Sequence, residues 1–149
     1  MTDTHEIRSL IFDSVIPHRY SDFDENGWNT FAKPNEIEAI EMRISSKAYL
    51  TLCYELEAKI VGIIAIYKDE DIYQLFVHPD YRRLGIASKL WHEARKFSEL
   101  GCAGKRYWVK SSTLAVPLYQ SLGFSLSGGK QTENGISYYP MELVCDAES

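Results

Sequence analysis

Between a β-branched and aromatic run at 72–77 (IYQLFV) and a helical pattern opening at Ile86, the chain has only the stretch HPDYRRLG to turn in. Pro79 removes a backbone donor, so the strand must stop at His78. From Ile86, apolar residues recur at Ile86, Leu90, Ala94 and Phe97 with Trp91 beside them, the spacing of a helix with one buried face. A strand that passes so tightly into a helix leaves the N–H groups of the first turn unpaired, where the macrodipole favours an anion. Arg82, Arg83, Leu84, Gly85, Ile86 and Ala87 occupy that turn. Gly85 lets the backbone approach a ligand closely, and Ala87 keeps the next position small. The pattern is that of a pyrophosphate cradle; its plainer reading is a solvated pair of arginines at a surface turn.

A second stretch, SSTLAVPLYQSLGF at 111–124, places Tyr119 four residues before Gly123-Phe124. Together the two stretches resemble the GNAT family of acyl-CoA N-acyltransferases. Val77, Pro79, Arg82, Gly85 and Ala87 fill the defined positions of the first family motif, and Ala115, Val116, Pro117, Tyr119, Leu122, Gly123 and Phe124 match the second. Tyr20-Ser21, Gly27, KIVG at 59–62, ENGI at 133–136 and Pro140-Met141-Glu142 extend the resemblance over most of the chain.

The resemblance implies an α/β (α+β) fold over residues 1–149 as one domain: a mixed central sheet with an antiparallel meander, two splayed parallel strands and flanking helices. It implies acetyl-CoA as acyl donor, held by Phe76, Val77, Arg82, Arg83, Leu84, Gly85, Ile86 and Ala87, with pantetheine entering between strands 72–77 and 105–110. Separation of those strands would free backbone groups at Phe76 and Val77, and a buried amide needs a partner. Two positions depart from the family pattern. Lys110 stands where an Asn is common, and Gln74 where some relatives carry Glu.

The length of 149 residues suits one domain with a core that needs no disulfide or metal. No apolar run approaches the length of a membrane span, and MTDTHEIRS lacks the basic-then-apolar order of a signal peptide; the expected compartment is the cytoplasm. Cys53, Cys102 and Cys145 form no C-x-x-C pair, which fits reduced thiols. His5, His18, His78 and His92 show no helical i, i+4 pair, so no metal is expected. A net charge of −5 argues against nucleic acid and suits a cationic amine. The expected partners are therefore acetyl-CoA and an amine acceptor, with no nucleic acid and no membrane, and a homodimer as a possible assembly.

Along the chain, Asp3 with Glu6 suggests a capping box for a first helix that buries Ile7, Leu10, Ile11 and Val15 and stops before Pro17. Residues 21–33 read as a weak helix around Phe23, Trp28 and Phe31, and Asn35 with Glu38 as the cap of another that turns Ile37, Ile40 and Ile44 inward. The strand that opens the family's fold is expected to be short or missing. Residues 49–56 alternate, 60–67 are nearly all apolar, and with 72–77 they predict a meander. The long helix ends at Gly101, a strand follows at 105–110, and a short helix spans about 113–121. Strands at 124–126 and 136–144 close the sheet, the loop between them bounded by Gly128-Gly129 and Asn134-Gly135.

Acyl transfer from a thioester to an amine needs an oxyanion donor, an acid for the leaving thiolate and a neutral nucleophile. The resemblance assigns the first to the backbone N–H of Val77 and the second to Tyr119 as general acid; the plainer reading of Tyr119 is a core tyrosine. A glutamine at 74 cannot take a proton. His78, Glu70, Tyr73 or a relayed water remain as the base. Trp28 is a candidate substrate wall, and Asp22, Asp24 and Glu25 read as a solvated acidic loop that could attract a cation. The alternative function is a noncatalytic acyl-CoA-binding sensor module acting through a partner.

Overall fold

The computed structural model describes residues 2–98 and 105–144; Gly101, Cys102 and Cys145 lie outside them. Helix α1 (Thr2–Val15) buries Ile7, Leu10, Ile11 and Val15, as their spacing requires. Its expected capping box is not formed. Asp3 lies within the first turn, and the Glu6 carboxylate instead accepts the N–H of Ile60 at 3.0 Å, tying the helix to the sheet. Among the described residues no strand precedes α1.

A 3-10 turn at Ile16–His18, with Pro17 in it, closes α1. The stretch read as one weak helix divides into α2 (Arg19–Asp22) and α3 (Glu25–Ala32). The division is made by Asp24, whose extended backbone and Oδ1, accepting the Gly27 N–H at 2.7 Å, form an N-cap. In α4 (Ile37–Ser45) the cap position belongs to Glu36, not Asn35, and no side chain bonds there. Ile40 is buried as expected, but Ile44 is 44% exposed and Arg43 lies inside in its place.

The meander is β1 (Tyr49–Leu56), β2 (Lys59–Tyr67) and β3 (Asp71–Val77). Its turns put Glu57, Ala58, Lys68 and Asp69 at positive φ without any glycine, because paired left-handed residues match the twist of the flanking strands. After a 3-10 turn at Pro79–Tyr81 come α5 (Ile86–Ser98), β4 (Arg106–Ser111), α6 (Val116–Ser121), β5 (Ser125–Leu126), β6 (Gln131–Glu133) and β7 (Ile136–Val144). The seven strands form one sheet in the order β1-β2-β3-β4-β7-β5, with β6 paired to β7. The loop expected before β7 thus contains β6, because Asn134 and Gly135, both at positive φ, fold it back as a tight hairpin. No helix among the described residues is long and apolar enough to cross a membrane.

β2 is buried continuously from Val61 to Ile66, as a strand covered on both faces must be. On one side Ile7, Leu10, Ile11 and Ile40 of α1 and α4 pack with Ile63. On the other, Ile86, Leu90, Trp91 and Ala94 of α5 join Tyr119 of α6 against Ile64, Ile66, Tyr107 and Met141. Phe97, expected on the same stripe, is 61% exposed in the last turn of α5, past its last buried residue.

A close contact fixes the remaining layer. The Asp24 N–H donates to Gly135 O at 3.0 Å, and a Cβ on Gly27 would be driven into that same carbonyl. The α3 helix therefore lies directly on the β6–β7 turn, and only a glycine at 27 permits it. Gly27→Ala is expected to cost about 1 to 3 kcal/mol of stability, the usual penalty of overpacking, measured by urea unfolding against the parent chain.

Candidate active site

Parallel pairing between β3 and β4 is confined to Asp71 with Trp108 and Ile72 with Val109. Past that point the strands separate, and a cavity of about 790 Å³ opens between them. Leu75, Phe76 and Val77 line it on one side, and Val109, Lys110 and the α6 residues Leu118 and Tyr119 on the other.

Val77 sits where the ladder directs its polar groups into that gap. It pairs with Gly62 on β2, while the next N–H, that of His78, donates to Val61 O at 2.8 Å. Hydrogen-bonded and non-bonded pairs alternate in an antiparallel ladder, so the N–H and C=O of Val77 turn away from β2. The carbonyl accepts from Ser14 Oγ and from Arg82 Nε, each at 3.3 Å. The same alternation turns the backbone groups of Phe76 toward Ile63 on β2. The expectation that both residues free their amides is corrected for Phe76, which lines the cavity with its amide turned to β2.

At the other end lies the start of α5. Its first helical bond runs from Lys89 N–H to Gly85 O at 3.0 Å, so the N–H groups of Ile86, Ala87 and Ser88 have no acceptor within the helix. Gly85 has a φ of 76° and Arg83 one of 68°; these left-handed residues wind the loop so that the helix opens onto the cavity. A Cβ at Gly85 would meet nothing within 4 Å, which leaves room for a ligand to approach the backbone. Arg82, Arg83, Gly85, Ile86 and Ala87 all line the cavity, but Leu84, 57% exposed, does not. Ile86 is 2% exposed with its side chain in the core.

Tyr119 lines the cavity while 5% exposed, held against the ring of Phe124 at 5.6 Å. Burial alone pushes its phenol well above the ordinary tyrosine range. Three proposed bases fare differently. His78 and Glu70 are outside the cavity lining; His78 Nδ1 accepts the Asp80 N–H at 3.1 Å, and its Nε2 lies 3.5 Å from the Asp13 carboxylate. Tyr73 does line the cavity, but desolvation raises its phenol despite the Arg43 guanidinium beside it, so it stays neutral and is a poor proton acceptor. Trp28 does not line it either; it packs among Phe12, Phe23 and Phe31.

With this geometry in view, residues 19–145 match the family model described as an acetyltransferase (GNAT) domain. The chain belongs to the GNAT acetyltransferase family. As a member of it, the chain is an N-acyltransferase. No curated protein matches it. Solved structures do: an N-acetyltransferase from Rhodopseudomonas palustris at 20% identity and TM-score 0.80, over 97% of this chain and 91% of that one. The PaiA N-acetyltransferase from Thermoplasma acidophilum, in complex with coenzyme A, matches at 18% and 0.76 over 97% and 94%. The ribosomal-protein-S18-alanine N-acetyltransferase from Escherichia coli matches at 21% and 0.59 over 74% and 77%. At these identities they are alike in fold.

This GNAT chain's two departures have structural accounts. Lys110 points to the β6–β7 hairpin, where its Nζ is 3.5 Å from Glu133 and 5.2 Å from the Tyr138 ring; the Tyr138 hydroxyl in turn donates to Glu133. Gln74 is buried in a polar network. Its Nε2 donates to Asn35 Oδ1 at 2.6 Å, and Arg43 donates to Gln74 Oε1 at 3.4 Å, to Asn35 Oδ1 at 3.3 Å and to Pro34 O at 2.8 Å. Arg43 thus satisfies its donors on neutral oxygens and on the face of Tyr73, 4.9 Å away, and burial lowers its pKa.

Asp22, expected in a solvated acidic loop, is instead buried. It is 4% exposed and lines the cavity, its Oδ1 accepting from Thr113 Oγ1 at 2.6 Å and its Oδ2 from Thr113 N–H at 3.0 Å. Nothing in SDFDEN distinguishes it from a solvated acid, because its partner lies 91 residues away. For the Gln74 network, Gln74→Leu is expected to lower stability by about 1 to 3 kcal/mol, since it strands buried partners on Arg43 and Asn35. Gln74→Glu, which loses the donor to Asn35 Oδ1 but gives Arg43 a carboxylate, should lose less at neutral pH. Chemical denaturation of both variants measures the difference.

Proposed function

We propose that the chain transfers an acetyl group from acetyl-CoA to the primary amine of a small molecule, peptide or protein. The observation that carries this is the gap between β3 and β4, which has the Val77 N–H at one wall, Tyr119 at the other and the open N-terminus of α5 at its end. The N–H groups at 86–88, with Arg83 beside them, suit a pyrophosphate, and the slot suits a pantetheine arm whose amides bond to the edges of separated strands. The coenzyme A complex of the PaiA relative supports acetyl-CoA as the donor.

In this reading the neutral amine attacks the thioester carbonyl and forms the C–N bond, the Val77 N–H donating to the developing oxyanion as a fixed dipole. The C–S bond then breaks, and the thiolate takes the phenolic proton of Tyr119. The proton lost by the new amide nitrogen restores the phenol. Because burial raises the Tyr119 pKa, the phenol holds its proton at neutral pH. A cytoplasmic location agrees with this use of acetyl-CoA.

Gly85→Val is expected to place a branched side chain at positive φ and in the space kept for the pyrophosphate. The parent should gain about 2.7 kcal/mol at a hundredfold excess of acetyl-CoA over its Kd, and the variant should gain none; thermal shift measures both. Tyr119→Phe should keep acetyl-CoA affinity and KM while kcat falls about 10² to 10⁴-fold. Because a thiolate needs less help as pH rises past a thiol pKa of about 8.5, that loss should shrink from pH 6.5 toward 9.5. Near-parental kcat in the Phe variant throughout would make Tyr119 a packing residue. Release of free thiol from acetyl-CoA with an amine panel separates transfer from noncatalytic binding, which the immobilised Gln74 would otherwise favour.

A further inference from the structure

The acceptor side of the cavity contains two carboxylates with unlike surroundings. Glu133 is compensated: Lys110 faces it, the Tyr138 hydroxyl donates to it, and half of it is in solvent. Asp22 is almost wholly buried, and among the described residues its hydrogen-bond partners are the N–H and hydroxyl of Thr113, both neutral. An ionised carboxylate has about four lone-pair sites, so Thr113 leaves about half of them to the cavity. A buried charge without a partner is costly. Apolar Phe23, Phe31, Leu114 and Ile136 line the same cavity, beside polar Thr30, Ser112, Asn134 and Ser137. Thr113 also places Asp22 on the connection between β4 and the helix bearing Tyr119.

We propose that Asp22 binds the ammonium group of the acceptor, which enters as a cation with an apolar body against Phe23 and Phe31. This rests on the acyltransferase reading for its purpose, but not for its test. Asp22 here selects the acceptor; the ammonium gives its proton to a solvent water before attack, and the neutral amine is the nucleophile. A purely structural Asp22 would clamp α2 to the β4–α6 connection and do nothing else.

The experiment compares binding of phenethylamine and of uncharged phenethyl alcohol to the full chain with coenzyme A present, by NMR titration at neutral pH. The parent is expected to bind the amine about tenfold or more tightly than the alcohol, as a charge-assisted bond supplies. Asp22→Asn retains an acceptor for Thr113 and should abolish the preference, leaving the thermal shift by acetyl-CoA unchanged. Glu133→Gln should leave the preference in place. Equal binding of amine and alcohol to the parent, a preference that survives Asp22→Asn, or one lost in Glu133→Gln overturns the proposal. If Asp22→Asn does not fold, Glu133→Gln still decides, since among the described residues it leaves Asp22 as the remaining cavity carboxylate. Failure of acetyl-CoA to shift the parent would sink the donor reading while leaving the amine preference to be read on its own.

Discussion

Two strands that begin as hydrogen-bonded neighbours and then part company impose the chief constraint on this molecule. Parallel pairing of β3 with β4 lasts only through Ile72 and Val109, after which backbone groups that a sheet would satisfy face a cavity. Such groups need other partners. The Val77 carbonyl finds them in Ser14 and Arg82, which brings α1 and the basic loop to the same strand end. The opening of α5 and the placement of Tyr119 matter for function only because that gap exists between them.

The wall opposite the coenzyme cradle is assembled from pieces distant in sequence. Asp24 and Gly27 seat α3 on the Gly135 turn, and Asp22 ties α2 to Thr113. Both contacts span about ninety residues or more of chain, yet each is local in space and made by one small or acidic side chain. The Arg43–Asn35–Gln74 network fixes the adjoining surface. A buried guanidinium with neutral acceptors is not a cheap way to fill space; it holds the Gln74 amide in one orientation at the cavity edge.

What the sequence alone determined follows from short-range rules. Pro79, the apolar spacing after Ile86 and the continuous apolar run of β2 specify a strand, a tight turn and a helix start, because backbone sterics and one-sided burial act within a few residues. The motif residues around Gly85 and Tyr119 carried the family resemblance, and through it the splay. Even the β6 strand was written in Asn134-Gly135 with alternating neighbours, a hairpin signal read only as a loop end.

Only the tertiary structure decided which charges are buried and what they face. Asp3, Asp22 and Glu133 are alike as letters; packing makes one a solvated helix residue, one an enclosed carboxylate and one the partner of Lys110. Arg43 occupies an inward position that periodicity gave to Ile44, since a neighbouring Asn35 and Gln74 can satisfy it and no local pattern reports them. Ladder alternation, not residue type, gave the cavity the amide of Val77 and withheld that of Phe76. These are long-range facts of register and burial, and a one-dimensional pattern carries no distance.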